Sequence, residues 1–206
     1  MSVGRGVLGA LVLGLAMVQP AVAQEKTFGV AVRGGGFNGV TELNEAGNAD
    51  FNKTGYNVGG GLSVDLHKYI GLRGDFTFAR NELQQNGLAT SQDLNRFFYD
   101  GAVQFQYDAN GLKPYLFVGA GAVTLHPVGT TDSDQTKFAG TGGIGAEYAI
   151  AGTGLGLVLE GKGWVYNLSE LPGTLAPFDK TQFDVTWSAG LSYRLPFGTS
   201  AARTIR

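Results

Sequence analysis

The sequence predicts an all-β protein, folded as a transmembrane, eight-stranded, antiparallel up-and-down β-barrel. Three observations lead to this prediction. Apolar and polar side chains alternate with period two in eight segments. The connections between the segments are alternately long and short, and aromatic residues gather near both ends of the segments. A soluble β-sandwich would explain similar strands, but it does not predict that one end has tight turns and the other long loops.

An apolar segment precedes the first strand. It carries Arg5, an apolar core over residues 7–18, Pro20 and then Ala21-Val22-Ala23. This pattern predicts a secretory signal peptide over residues 1–23, cleaved after Ala23. The alternative is a membrane anchor, which needs about 20 apolar residues. We therefore expect an exported chain with a barrel at residues 24–197 and a short tail at residues 198–206.

Composition narrows the function classes. The 206 residues include 34 glycines and no cysteine, and the formal net charge is −2. That charge gives no indication of nucleic-acid binding. Without cysteine there is no disulfide, thiol chemistry or Cys-based zinc site. An exported chain of this length must therefore be stabilised by a large fold instead of by disulfides.

The first four predicted strands place large apolar side chains on one face and polar or charged ones on the other. They are TFGVAVRGGGF (27–37) with Arg33 on the polar face, GYNVGGGLSVDL (55–66) with Asp65, IGLRGDFTFAR (70–80) with Arg73 and Asp75, and RFFYDGAVQFQY (96–107) with Asp100. Such alternation predicts strands with two different environments.

Three of the last four predicted strands also place apolar side chains on one face and polar or charged ones on the other. The fifth is apolar on both faces, so its orientation is left open. These strands are PYLFVGAGAVTL (114–125), FAGTGGIGAEYAI (138–150) with Glu147 on the polar face, LGLVLEGKGWVY (155–166) with Glu160 and Lys162, and QFDVTWSAGLSYRLPF (182–197) with Asp184 and Arg194.

The connections divide by length. Four are long and polar, at residues 38–54, 81–95, 126–135 and 167–181. Three are short, at residues 67–69, 108–113 and 151–154. The long loops therefore gather at one end of the sheet and the tight turns at the other.

Aromatic residues form two predicted belts on the apolar face, at the depths where a bilayer meets water. The belt near the short turns contains Phe28, Phe105, Tyr107, Tyr115, Tyr148, Tyr193 and Phe197. The belt near the long loops contains Phe37, Tyr56, Phe78, Phe97, Tyr99, Phe138 and Phe183. Aliphatic residues and glycine lie between them, so the apolar face is predicted to contact lipid.

The polar face carries four positive and six negative side chains. They are Arg33, Asp65, Arg73, Asp75, Asp100, Glu147, Glu160, Lys162, Asp184 and Arg194. Facing lipid, each Lys or Arg near the midplane would cost about 2–4 kcal/mol. An eight-stranded barrel is just wide enough for side chains to fill. We therefore predict a lumenal charge network that fills the barrel.

The chain resembles the small eight-stranded outer-membrane β-barrels of Gram-negative bacteria, the OmpA-type and opacity-protein-like group. The resemblance rests on the signal peptide, on HKYIGLRGDFTF (67–78), KPYLFVGAGAV (113–123) and GGIGAEYAI (142–150), and on the alternating Tyr193, Leu195 and Phe197 of the last strand. The family commonly ends on a terminal aromatic residue, whereas here Pro196 and the tail GTSAARTIR depart from that pattern.

The resemblance implies a porin-family-like protein of the cell outer membrane, with short turns in the periplasm and four loops outside. Its implied role is structural or in surface interaction, such as adhesion or membrane integrity. The expected partners are outer-membrane lipid and lipopolysaccharide, the barrel-assembly machinery during insertion, and an extracellular ligand at the loops, but no nucleic acid. The alternatives are a small-solute porin-like channel and, less favoured, a lipid-modifying outer-membrane enzyme.

No sequence motif supports catalysis, a cofactor or a metal. The segment GTGGIG (140–145) matches G-x-G-x-x-G, but a strand follows it where a phosphate site needs a helix. His67 lies in a short turn, and His126 lies at the long-loop end of the fifth strand. Neither histidine has a serine and an acidic residue at the fixed spacing of a nucleophile–base pair. Loop residues predicted to meet a partner are Phe51, Leu88 and residues 171–178, although packing on the rim explains them as well.

Overall fold

A computed structural model describes residues 26–40, 49–51, 55–85, 88–127, 134–169 and 179–197. The predicted signal peptide, the tail and residues 171–178 lie outside these ranges. Every element in them is a strand: β1 Lys26–Gly39, β2 Ala49–Phe51, β3 Gly55–His67, β4 Ile70–Gln85, β5 Leu88–Gln106, β6 Leu112–Pro127, β7 Gln135–Ala149, β8 Leu155–Ser169 and β9 Asp179–Phe197. No helix in the described ranges is long and apolar enough to cross a bilayer.

Eight of the strands close into a barrel, which confirms the predicted fold class. Each long strand pairs antiparallel with the next along the chain, and β9 pairs with β1 from Phe197↔Lys26 to Asp184↔Gly39. Closure leaves no free edge within the barrel wall. The ninth strand, β2, is only three residues long and pairs with the outer end of β4.

Two hairpins continue past the barrel at the long-loop end. The β4–β5 pairing extends to Gln85↔Leu88, whereas the β3–β4 pairing stops at Tyr56↔Arg80. The predicted loop over residues 81–95 is therefore wrong, because most of it is strand. The β8–β9 pairing likewise continues to Ser169↔Asp179. In the ring, two strands separate the hairpins on each side, so they stand opposite one another.

The short-turn end is built from tight hairpins. Between β5 and β6, Asn110 and Gly111 both have positive φ, 55° and 91°. Two such residues in sequence match the type I′ turn, whose twist suits the flanking strands and favours Asn-Gly. The Asp108 carboxylate accepts the Gly111 backbone N–H at 3.2 Å, which fixes the turn further.

The barrel has an apolar exterior and a mostly polar interior. Val32, Leu159 and Ile144 point outward and are 61%, 65% and 70% exposed, as a lipid-facing surface requires. Two aromatic residues depart from the predicted outer belts. Phe37 and Tyr115 are buried in the lumen instead, because Phe37 shares the parity of Arg33 and Tyr115 shares that of Lys113, which also points inward.

Candidate functional site

The interior side chains form three layers along the barrel axis. The lower layer, near the short turns, consists of Asp65, Lys113, Glu147 and Arg194. The middle layer consists of Arg33, Arg73, Asp75, Asp100, Glu160 and Lys162. The upper layer, near the long loops, contains the Arg96–Asp184 pair and an aromatic cap formed by Phe37, Phe98, Trp164 and Tyr166. Strand alternation supplies every one of these side chains to the same face.

Glu160 is one centre of the middle layer. Its Oε2 lies 2.9 Å from Arg33 Nη1 and 2.8 Å from Arg73 Nη1. It also accepts a hydrogen bond from the Tyr115 hydroxyl at 2.8 Å. Arg73 lies over the ring of Phe117, 4.1 Å from its centroid. A buried carboxylate with several charged donors has the partners it needs away from water.

Lys162 crosses the lumen from β8 to the opposite wall. Its Nζ lies 2.7 Å and 2.8 Å from the two oxygens of Asp100 and 3.2 Å from Asp75 Oδ2. Asp75 also pairs with Arg33 and, at 2.7 Å, with Arg73 Nε. The contacts of Lys162 and the Arg33–Asp75 pair connect strands that are not hydrogen-bonded neighbours, so they brace the barrel across its interior.

The lower layer is centred on Arg194. Its guanidinium makes a bidentate pair with Glu147, with both distances 2.6 Å, and contacts Asp65 Oδ2 at 2.7 Å. Lys113 Nζ lies 3.2 Å from the same Asp65 oxygen. Glu147 and Glu160 thus belong to separate layers, each with its own cations, and do not form a paired-carboxylate site.

The upper layer closes the lumen with aromatic rings. Phe98 stacks on Trp164 with 4.2 Å between ring centroids, and Tyr166 meets Phe98 edge-on at 6.5 Å. The Tyr166 hydroxyl donates to Asp184 Oδ2 at 2.6 Å. Phe37, Phe98 and Trp164 are at most 1% exposed. Side chains of this size, packed in contact, fill much of the interior of a narrow barrel at this level.

The structure places all ten charged residues of the predicted network on the inner face and brings them into these layers. It adds two cations that the sequence analysis missed, Arg96 in the upper layer and Lys113 in the lower. With them, the three layers as defined contain six positive and six negative side chains, and each layer is neutral. The excess of carboxylates in the predicted set was itself the signal that interior cations were missing.

Glycines on β7 make room for the rings of β6. A Cβ at Gly145 would lie 2.5 Å from the Tyr115 ring, and one at Gly143 would lie 2.6 Å from the Phe117 ring. Both glycines fall in the GTGGIG segment, which is part of a strand. Gly143 and Gly145 therefore serve close packing in the lumen, and a strand continues after the segment where a phosphate site would need a helix.

The histidines lie at opposite ends of the barrel. His126 Nδ1 is 2.5 Å from Asp134 Oδ1, and both side chains are about half exposed. The acid partner is thus present, contrary to the expectation from spacing. The nearby hydroxyls of Thr124 and Thr136 bond to one another at 2.9 Å. Among the described residues no group of three or more His, Asp or Glu is arranged to hold a metal ion.

A family model described as the outer membrane protein beta-barrel domain matches residues 8–194. The chain belongs to this family. Membership confirms the resemblance found in the sequence and implies location in the outer membrane. No curated protein sequence matches the chain.

Solved structures of outer-membrane barrels share the fold. Neisserial surface protein A aligns with a TM-score of 0.56 and 17% identity over 81% of this chain and 96% of its own. The outer membrane protein OprG from Pseudomonas aeruginosa aligns with a TM-score of 0.58 and 12% identity over 84% of this chain and 98% of its own. A major outer membrane protein from Thermus thermophilus aligns with a TM-score of 0.51 and 12% identity over 84% of this chain and 100% of its own.

Proposed function

We propose that this outer-membrane barrel is a closed, non-catalytic structural protein that presents two rigid hairpins at the cell surface. The short turns lie in the periplasm and the long-loop end outside. Its partners are outer-membrane lipid and lipopolysaccharide, the assembly machinery during insertion, and a ligand at the hairpins.

The observation that carries this proposal is the filled lumen. Between the lower and middle layers the interior cavity lined by Arg33, Arg73 and Glu147 has a volume of about 30 Å³. That volume holds a water molecule or two. Above it, the aromatic cap and the crossing Lys162 occupy the lumen, and this filling supports a closed barrel over the porin-like alternative.

Conductance in a planar bilayer tests whether the lumen is closed. We expect the purified, folded barrel to give no discrete conductance steps at applied potentials at which a porin conducts. A variant with Phe98→Ala and Trp164→Ala removes the stacked pair of the cap, while Phe76→Ala and Tyr99→Ala remove a pair of rings from the lipid face and serve as the matched control. Reproducible single-channel steps from the unmodified protein would contradict the proposal.

The opposed hairpins support a surface role. Barrels that only span the membrane need strands of about 9–11 residues, whereas β5 and β9 each have 19. The excess length at the long-loop end continues the β4–β5 and β8–β9 pairings beyond the rest of the barrel wall, which supports hairpins that project from the membrane. Rigid projecting strands offer a partner a fixed surface at a low cost in conformational entropy.

Shortening one hairpin tests the surface role. Replacing residues 82–93 by an Asn-Gly turn keeps a hairpin connection and removes the projecting sheet. Binding of cells to wells coated with extracellular-matrix proteins is the measurement. Cells that produce the shortened barrel are expected to bind these wells less well than cells that produce the full-length barrel. Equal surface levels, checked by protease-resistant barrel in the outer-membrane fraction, are the control. Undiminished binding by the shortened form to every coating that the full-length form binds would refute a role for this hairpin.

A further inference from the structure

A second cavity lies at the short-turn end, where the barrel meets the edge of the membrane. It has a volume of about 170 Å³ and includes Lys26, His67, Lys68 and Lys113 in its lining, together with Asp65 and Asp108. These residues come from the start of β1, from the end of β3 with the β3–β4 turn, and from the β5–β6 connection with the start of β6. Three separate elements therefore converge on one concave surface, which we call the mouth cavity.

The mouth cavity carries an excess of positive charge. Lys113 and Asp65 belong to the neutral lower layer, where Asp65 Oδ2 already meets Arg194 and Lys113. Asp108 is the remaining carboxylate, and its Oδ1 accepts the Gly111 N–H. Among the described residues, neither Lys26 nor Lys68 forms an ion pair. Lys68 Nζ also lies 4.6 Å from the centroid of the Tyr69 ring. Among the described lining residues outside the lower layer, two lysines thus face one carboxylate, which leaves one positive charge for a ligand.

The surface beside the mouth cavity is shaped for the edge of a bilayer. Tyr69 and Tyr107 stack there, with ring centroids 6.4 Å apart and planes 5° from parallel. Tyrosines of this kind lie at headgroup depth. Directly beyond them, Leu66 and Ile70 are 48% and 40% exposed on the outer face. A ligand whose charged part fills the cavity would therefore have apolar surface next to it.

We propose that the mouth cavity binds the phosphate group of an anionic phospholipid, with Lys26, Lys68 and His67 as donors and Leu66 and Ile70 under an acyl chain. A phosphodiester carries one negative charge, which matches the excess charge of the cavity. Free phosphate would use the same donors, but it would make no use of the adjacent apolar face. Under the orientation given in Proposed function, this lipid belongs to the periplasmic leaflet.

Nuclear magnetic resonance of the complete folded barrel in phospholipid nanodiscs tests the site. Phosphatidylglycerol added to phosphatidylcholine discs is expected to shift the backbone amides of Lys68, Tyr69 and Gly111 saturably. Lys26→Gln with Lys68→Gln should weaken the apparent affinity by about fivefold for each lysine removed. Lys180→Gln, near the start of β9 at the other end of the barrel, is the matched control and should leave the affinity unchanged.

The outcomes separate lipid from free phosphate. Shifts produced equally by inorganic phosphate in pure phosphatidylcholine discs would overturn the assignment to lipid. Shifts that are unaltered in the double lysine variant, or equally weakened by Lys180→Gln, would overturn the site itself. Both leaflets of a nanodisc have the same composition, so the result does not depend on the proposed orientation or on whether the lumen conducts.

Discussion

Replacing Lys162 by methionine is expected to lower the free energy of unfolding of the barrel by about 3–5 kcal/mol. Methionine keeps much of the length and volume of lysine, so the change removes a charge and little packing. Asp100 would lose the cation that lies 2.7 Å from its Oδ1, and Lys162 is its only ion-pair partner among the described residues. Asp75 would keep Arg33 and Arg73. The cost therefore falls mainly on one buried carboxylate.

The size of the effect follows from the location of Asp100. Its side chain is 1% exposed and lies on the inner face of a strand inside the membrane-spanning band. A buried ion without its partner retains the desolvation cost and loses the attraction that offsets it. The middle layer as a whole would also change from neutral to a net charge of −1.

A double variant tests whether charge is the cause. Lys162→Met combined with Asp100→Asn leaves Arg33 and Arg73 opposite Asp75 and Glu160, so the layer is neutral again. We expect the double variant to be more stable than the sum of the two single losses predicts, by about 1–3 kcal/mol. Reversible unfolding in lipid vesicles, followed by tryptophan fluorescence, measures all four proteins. Strictly additive losses, or an unaffected Lys162→Met, would show that the pair across the lumen does not stabilise the barrel.

Alternation along the chain made the barrel wall predictable. Each lipid-facing residue needs to be apolar, and the inner face needs to be small or polar, so the two-residue period survives through eight strands. The rule weakens where side chains are small or uniformly apolar. Gly34, Gly35 and Gly36 interrupt the pattern before Phe37, and the fifth strand is apolar on both faces. Residue type alone suggests the outer belts for Phe37 and Tyr115. Phe37 nevertheless shares the parity of Arg33 across three glycines, and the fifth strand leaves the parity of Tyr115 open.

Strand length was less predictable than strand position. Residues 81–95 are polar, and polarity in a barrel sequence usually marks a loop. A hairpin that projects into water, however, has no lipid to meet, so neither of its faces needs to be apolar. The backbone pairing of β4 with β5 therefore continues where the hydrophobic signal stops. Asn86-Gly87 was the local hint of a tight hairpin, and this pair lies between the described ends of the two strands.

The sequence predicts which charged residues belong to the interior network, but it does not predict which of them pair with one another. Parity alone places a charged residue inside the barrel, and extending the parity of Asp100 back to Arg96 would have added that cation. Which charge meets which depends on stagger and on reach across the lumen. Lys162 meets Asp100 on the opposite wall, a contact between residues 62 apart in sequence that no local pattern encodes.

Replacing Leu159 by lysine is expected to destabilise the barrel by about 2–4 kcal/mol in a bilayer, because this residue faces lipid near the midplane. Leu159 is 65% exposed on the outer surface and pairs with Ala146 and Ala189 on the neighbouring strands. Those small neighbours offer a lysine side chain no polar partner. The cost thus comes from placing a charge in hydrocarbon and owes little to lost packing.

The matched control uses the same strand and the same substitution at a different depth. Leu155 begins β8 and pairs with Tyr193 of the predicted aromatic belt, so Leu155→Lys would lie near the interface and cost about 0–1 kcal/mol. Both variants add one lysine to an exposed position, and in water they would behave alike. Unfolding in vesicles should therefore separate them by about 2–3 kcal/mol. Equal stability of the two variants would show that depth in a bilayer does not set the cost, because only a hydrocarbon layer distinguishes two exposed leucines four residues apart.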